Sequence, residues 1–298
     1  MKTWAYGLIV VAATLWGIIS IFVKGLAEYG FTTLQIVAMR VAISAIILTV
    51  YIAIKDRSLL RIRPAHGTYF IGTGIFSIAF FNWCYFTAIQ ETSVAVAAIL
   101  LYTAPAFVLV LSRFLFGERL TTGKVAALIV TFSGCAFVVG FLPGLQGAIS
   151  LYGLAAGLGA GFGYALYSIF SKFALQHYNA LTVTVYTFWF AAAVMLPVSE
   201  LWETRALFYH WPVVAYSIGF SFFSTVLAYW CYTIALSYIE AGRAAIAATL
   251  EPIVATVVGT LFFGEILSNW QLFGIILVIA AVASVQRNNN VQGENQGI

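Results

Sequence analysis

WCYFTAIQETSVAVAAILLYTAPAFVLVLSRFLFGERL, from Trp83 to Leu120, returns as WCYTIALSYIEAGRAAIAATLEPIVATVVGTLFFGEIL, from Trp230 to Leu267. Laid over one another without a gap, 147 positions apart, the two stretches share thirteen of thirty-eight residues. The identities include Trp-Cys-Tyr at the start, Ala-Ala-Ile in the middle, one proline in each (Pro105 and Pro252) and Phe-Gly-Glu near the end. Shared hydrophobicity does not produce identity of these residue types, so the chain carries a duplication. The front of each half agrees as well: SIFVK at Ser20–Lys24 answers SIFSK at Ser168–Lys172, at an offset of 148.

Composition decides the medium. Of 298 residues, 62% are hydrophobic and only 8% charged, too little polar surface to coat a soluble globule. An all-α integral membrane protein is expected, because the apolar segments are continuous rather than alternating, as a β-barrel would require. The first of them, Thr3 to Val23, is read as a retained helix rather than a cleaved signal. Cys84, Cys135 and Cys231 all fall within apolar segments and are expected to pack rather than pair.

A bilayer core of about 30 Å takes roughly 20 apolar residues per helix, and the chain divides into ten such stretches. They are 4–23, 33–54, 68–89, 94–115, 122–142, 150–171, 181–200, 211–236, 243–263 and 270–286. Placing the N-terminus in the cytoplasm puts eleven of the fourteen Lys and Arg residues on or near the inner face. The positive-inside rule then sets both termini inside. Trp4, Trp202, Tyr209, Trp211 and Trp270 sit at span ends as interfacial anchors. Residues 288–298 read as a disordered polar tail.

The duplication divides the chain into units at 1–147 and 148–287, each of five spans. Because five is odd, the second unit enters the membrane from the opposite side, giving an inverted-topology repeat. Many secondary transporters use such repeats to build two related packings around one midplane site. Pro105 and Pro252 fall near the centres of the fourth and ninth spans. Each frees the carbonyl four residues earlier, which is expected to line a cavity or mark a packing kink.

These residues carry a resemblance. LWG at Leu15–Gly17, AMRVA around Arg40, YTAPAF followed by FGERLT, and LEPIVA followed by FGE resemble the drug/metabolite transporter superfamily, in its ten-helix branch with two EamA-like domains. The resemblance covers about 280 residues. It implies metabolite transport across the cytoplasmic membrane, and leaves exporters of amino acids and drugs open beside carriers of sugars, nucleotide sugars, vitamins and choline.

Polar residues that break the repeat are candidates for holding a substrate. Glu251 is the only acidic residue well inside a span, and its counterpart is Ala104; Arg40 is the only deeply placed base. An ionised group at a helix centre costs roughly 2.5 to 3.5 kcal/mol on insertion scales, so both are expected to face the interior, as a structural pair or as a site. Around them lie Trp16, Asn82, Trp83, Tyr85, Tyr102, Tyr164, Tyr167, Tyr186, Trp189, Tyr229 and Trp230, which suit a neutral or zwitterionic solute with an apolar part. GLAAGLGAGFG, Gly153 to Gly163, spaces small residues by four for close helix approach or for sliding. Glu118 and Glu265, at the Gly-Glu corners, are expected to be exposed residues that finish a turn.

Enzyme motifs fail. GERLTTGK at Gly117–Lys124 has five residues between its glycines where a phosphate loop needs four, and Val125 follows in place of Ser or Thr. The single aspartate, Asp56, excludes a two-aspartate protease, and neither G-x-S-x-G nor H-E-x-x-H occurs. No cofactor, metal or nucleic acid is expected. The expected partners are the bilayer, a small-molecule substrate and protons as a candidate coupling ion, with a monomer compatible with the sequence. The expected function is outward movement of an amino acid or related amphipathic metabolite by alternating access; import of a vitamin or quaternary amine and multidrug export are the alternatives.

Overall fold

The computed structural model of the protein describes residues 3–141 and 150–294, with side chains described through Val285. The LPGLQG segment and residues 295–298 lie outside the described residues. The described chain is helical, without strands. Among the described residues, eight helices are long and apolar enough to cross a membrane: α1 (Thr3–Glu28), α2 (Thr33–Lys55), α3 (Pro64–Glu91), α4 (Val94–Phe116), α6 (Leu151–Ala174), α7 (Ala180–Ser199), α8 (Trp211–Leu236) and α9 (Ala241–Phe263). Two are shorter in apolar length, α5 (Thr122–Val138) and α10 (Asn269–Glu294). The last of these runs to Glu294.

Local chemistry sets the helix starts. Thr32 opens α2 with a reciprocal box, its hydroxyl accepting from the Gln35 N–H while the Gln35 side chain accepts from the Thr32 N–H. Ser93, Thr121, Ser150 and Asn179 cap α4, α5, α6 and α7. The Gly-Glu corners explain their glycines. Gly117 and Gly264 each sit at φ 68°, a left-handed conformation that lets the next N–H, of Glu118 or Glu265, reach back to the carbonyl of Ser112 or Gly259.

The duplication recurs in the irregularities. Hydrogen bonding widens to the π form over Ile71–Ala79 in α3 and over Phe220–Leu227 in α8, at matching places. Both proline helices are broken rather than kinked. The first half of α4 ends at Leu101 and the second starts at Ala104; α9 breaks between Ala248 and Glu251. Each proline therefore sits in the first turn of a new half-helix, where its missing N–H is harmless.

The packing between halves is reciprocal. α1 lies on α8 and α9, as α6 lies on α3 and α4; α2 pairs with α7, and α5 with α10. The small residues of α6 seat it on α4: a Cβ at Gly161 would lie 2.5 Å from Thr103 Oγ1 and 2.9 Å from the Leu100 carbonyl. The core carries small and aromatic side chains between these helices, while Ile54, Phe114, Leu151 and Leu261 point outward. The outward apolar faces match a hydrocarbon surround. All three cysteines are buried and free.

Candidate functional site

An aromatic box forms where α1, α6 and α8 meet. Tyr164, Tyr167 and Ser168 recur at helical spacing and share one face of α6; Tyr229, Tyr232 and Thr233 do the same on α8. Trp16 of α1 stands between them, its ring 5.3 Å from Tyr229, 5.4 Å from Tyr232 and 6.4 Å from Tyr164. Tyr167 meets Tyr229 nearly edge-on at 4.9 Å, and Phe81 of α3 meets Tyr164 at 5.6 Å. The hydroxyls are tied in pairs, Tyr167 to Thr233 at 2.6 Å and Tyr232 to Ser168 at 2.8 Å. These bonds fix ring orientation, which a flexible apolar pocket would lack.

Tyr164 and Ser168 also line an adjoining cavity with Tyr102, Pro105, Thr249 and Glu251. Both cavities are narrow, with room for a water molecule and not for an amino acid. Glu251 reaches this space because α9 breaks directly before it, and it shares the cavity wall with Tyr164. Arg40 of α2 is buried beneath the Phe220 ring, 5.4 Å from its centroid. No direct ion pair joins Arg40 and Glu251 among the described residues. Arg40 Nε and the Trp16 indole N–H are both buried without a hydrogen-bond partner. A buried donor left unpaired is costly, so each of these marks a point where an acceptor would be stabilised.

Not every residue expected here belongs. Trp83 is 56% exposed: it lies two positions from Tyr85 on α3, hence on nearly the opposite side of the helix from the side facing Phe81 and Tyr164. Trp189 is also outward, donating to Thr49 Oγ1 at 2.9 Å. Tyr186 ties α7 to the segment after α2, its hydroxyl donating to the Leu60 carbonyl at 2.6 Å. Trp230 packs beside Tyr51 near the end of α2, away from the box. Asn82 is buried and donates to the Ile78 carbonyl of its own helix at 2.7 Å. Trp16, Tyr102, Tyr164, Tyr167, Tyr229 and Glu251 gather around the cavities with Pro105, while Arg40 lies by Phe220; Tyr85 packs on Phe81, and Pro252 follows Glu251 in the chain.

A second polar cluster escapes sequence reasoning. Glu118 is buried, not exposed: its carboxylate accepts the N–H groups of Ala241 and Gly242 at 2.8 and 3.3 Å, capping α9, and lies 3.6 Å from Lys172 Nζ. Lys172 also donates to the Ile239 carbonyl at 2.7 Å. Beside it, Glu240 bridges Lys124 at 2.9 Å and Arg243 at 2.5 Å. Burial alone would raise the pKa of Glu240, but the hydrogen bonds from Lys124 and Arg243 prevail and hold it below the ordinary carboxylate range. The signal was present in the recurring SIFxK and Gly-Glu, whose long-range partnership no local rule reveals.

A sequence profile described as the EamA-like transporter family matches the chain twice, over residues 3–140 and 151–286. The chain belongs to the EamA-like transporter family. This EamA-like protein is 29% identical over 278 residues to an uncharacterized transporter of Archaeoglobus fulgidus, covering 92% of the chain and 93% of that protein. It is 29% identical over 207 residues to the threonine/homoserine exporter RhtA of Escherichia coli K12, covering 69% of the chain and 66% of RhtA. A solved crystal structure shares the fold with a TM-score of 0.80 at 19% identity, covering 95% of this chain and 96% of that one. The EamA-like protein is thus a membrane-embedded transporter.

Proposed function

We propose that this EamA-like protein is a secondary-type carrier of the cytoplasmic membrane that moves an amino acid or closely related amphipathic metabolite outward by alternating access. On this reading α1 to α10 all span the membrane as two inverted five-helix repeats, with both termini cytoplasmic. The observation that carries it is the placement of Arg40 and Glu251: a buried guanidinium beneath the Phe220 ring and a carboxyl group on the wall of the cavity that Tyr102 and Tyr164 line, opposite charges with no ion pair between them among the described residues. In a packing that widens these cavities, which here hold no more than water, a zwitterion completes the arrangement: its carboxylate meets Arg40 and the Trp16 indole N–H, its ammonium meets Glu251, and the rings of Tyr164 and Tyr229 hold its side chain. A highly charged phosphate ester would need several convergent bases, and only Arg40 serves. RhtA's name supports amino-acid export as the nearest chemistry. Glu251 also offers a carboxylate for a proton when no substrate ammonium occupies it.

Thermal-shift measurements on the purified protein against amino acids, vitamins, quaternary amines and dyes test this reading. Stabilisation by zwitterionic amino acids, lost in Arg40→Gln and Glu251→Gln, supports it. Stabilisation by dyes and amines of unrelated shape, with no amino acid active, would replace it with drug export.

A further inference from the structure

The junction at Glu118 has an exact set of repeat counterparts, and only part of it is assembled. Glu118 corresponds to Glu265, Lys172 to Lys24, and Ala241 and Gly242 to Val94 and Ala95. The ion pair recurs, Lys24 Nζ to Glu265 Oε1 at 3.7 Å against Lys172 Nζ to Glu118 Oε1 at 3.6 Å. The rest does not. The Glu265 side chain is 62% exposed where that of Glu118 is 8%, and Val94 is 64% exposed where Ala241 is fully buried. Lys24 rests over the Phe263 ring at 3.5 Å, whereas Lys172 donates to Ile239. The first half of α9 packs along the second half of α4, and no comparable packing joins the first half of α4 to the second half of α9. Deeper, Ser168 bonds Tyr232, while its counterpart Ser20 has a buried hydroxyl with no partner among the described residues.

We propose that the chain adopts a second packing in which Glu265 takes the role Glu118 has here. In it the Glu265 carboxylate accepts the N–H groups of Val94 and Ala95, Lys24 donates to the Thr92 carbonyl, and Ser20 bonds Tyr85. The Glu118 junction opens as the Glu265 junction closes. This inference rests on the alternating-access reading and assigns its two locks to residues. The physical basis is that a helix start presents unpaired N–H groups and partial positive charge, which a carboxylate satisfies. One such cap contributes on the order of a few-fold to an equilibrium, so exchanging one lock for its counterpart leaves the two packings close enough for a substrate to choose between them.

The test uses full-length protein in membrane vesicles with Cys84, Cys135 and Cys231 replaced by Ala. Leu109 and Gly242 touch in the present packing, and their counterparts are Thr256 and Ala95. The pair L109C with G242C reports the closed Glu118 junction; A95C with T256C reports the closed Glu265 junction. A short bifunctional thiol reagent should link A95C to T256C, with yield falling about fivefold in E265A and rising in E118A, the shift expected from losing one cap. L109C with G242C should respond in the opposite sense and shows that each variant is folded. Labelling of A248C, at the wall of the cavity, by a membrane-impermeant reagent from the Glu118 face separates two failures. Labelling of A248C without any A95C–T256C link overturns the Glu265 lock and leaves alternating access standing. No labelling of A248C from that face, even in E118A, overturns both.

Discussion

The Glu118 carboxylate accepts the backbone N–H of Ala241 at 2.8 Å, joining the end of one proline-broken helix to the start of its repeat counterpart across 123 positions of sequence. The half-helix that starts at Ala241 carries Ala245 and Ala248 to the wall of the cavity that Glu251 and Tyr164 line.

Removing this cap should loosen the junction without unfolding the bundle. E118A is expected to lose about 1 kcal/mol at the junction, and E118Q less, since an amide oxygen still accepts the Ala241 N–H. Thiol labelling of A248C from the Glu118 face should rise in the order wild type, E118Q, E118A.

The neighbouring bridge carries a pH dependence of definite sign. The pKa of Glu240 is held low in the folded state by Lys124 and Arg243, so its contribution is complete above the ordinary carboxylate range and is lost as pH falls through the lowered value. Proteolysis or thiol labelling at the 237–240 segment should therefore be flat from neutral pH down through the ordinary carboxylate range and increase only below it. In E240Q the acid-induced step should disappear.

Arg40 and Glu251 should fail differently. Arg40→Lys keeps a charge but loses the planar fork that matches a carboxylate, so amino-acid counterflow in liposomes should fall tenfold or more, chiefly through affinity. Glu251→Gln removes the ammonium partner and the protonation site, and should abolish net proton-coupled flux. Trp83→Leu, on the outward face of α3, should leave transport within a factor of two in the same assay.

Gly161 is a packing position. Gly161→Leu forces a side chain into Thr103 and the Leu100 carbonyl, an overpacking expected to cost about 1 to 3 kcal/mol. The detergent-solubilised melting temperature should drop, and Gly161→Ala should fall between the two.

What the sequence shows and what it conceals follow from the range of each signal. The duplication, the apolar helices and the Gly-Glu corners are local patterns, and the matched Gly117 and Gly264 geometry follows from them. Arg40 and Glu251 were legible because a charge within an apolar run stands out by itself. Trp83 misled because residue type says nothing of helical face, and on α3 the period turns it away from Tyr85. Glu118 was concealed for the opposite reason: a glutamate after a helix-ending glycine reads as exposed until the start of α9, 123 positions later, is brought over it.

The central claim is that the two repeats are mounted in opposite senses across the membrane. Single cysteines at Arg119 and Ile266, repeat counterparts that are both exposed, can be labelled in intact cells with a membrane-impermeant thiol reagent, in the background lacking native cysteines. Labelling of I266C in intact cells, with R119C labelled only after the membrane is opened, is the predicted result. Labelling of both from the same side would contradict the inverted arrangement and the carrier mechanism built on it.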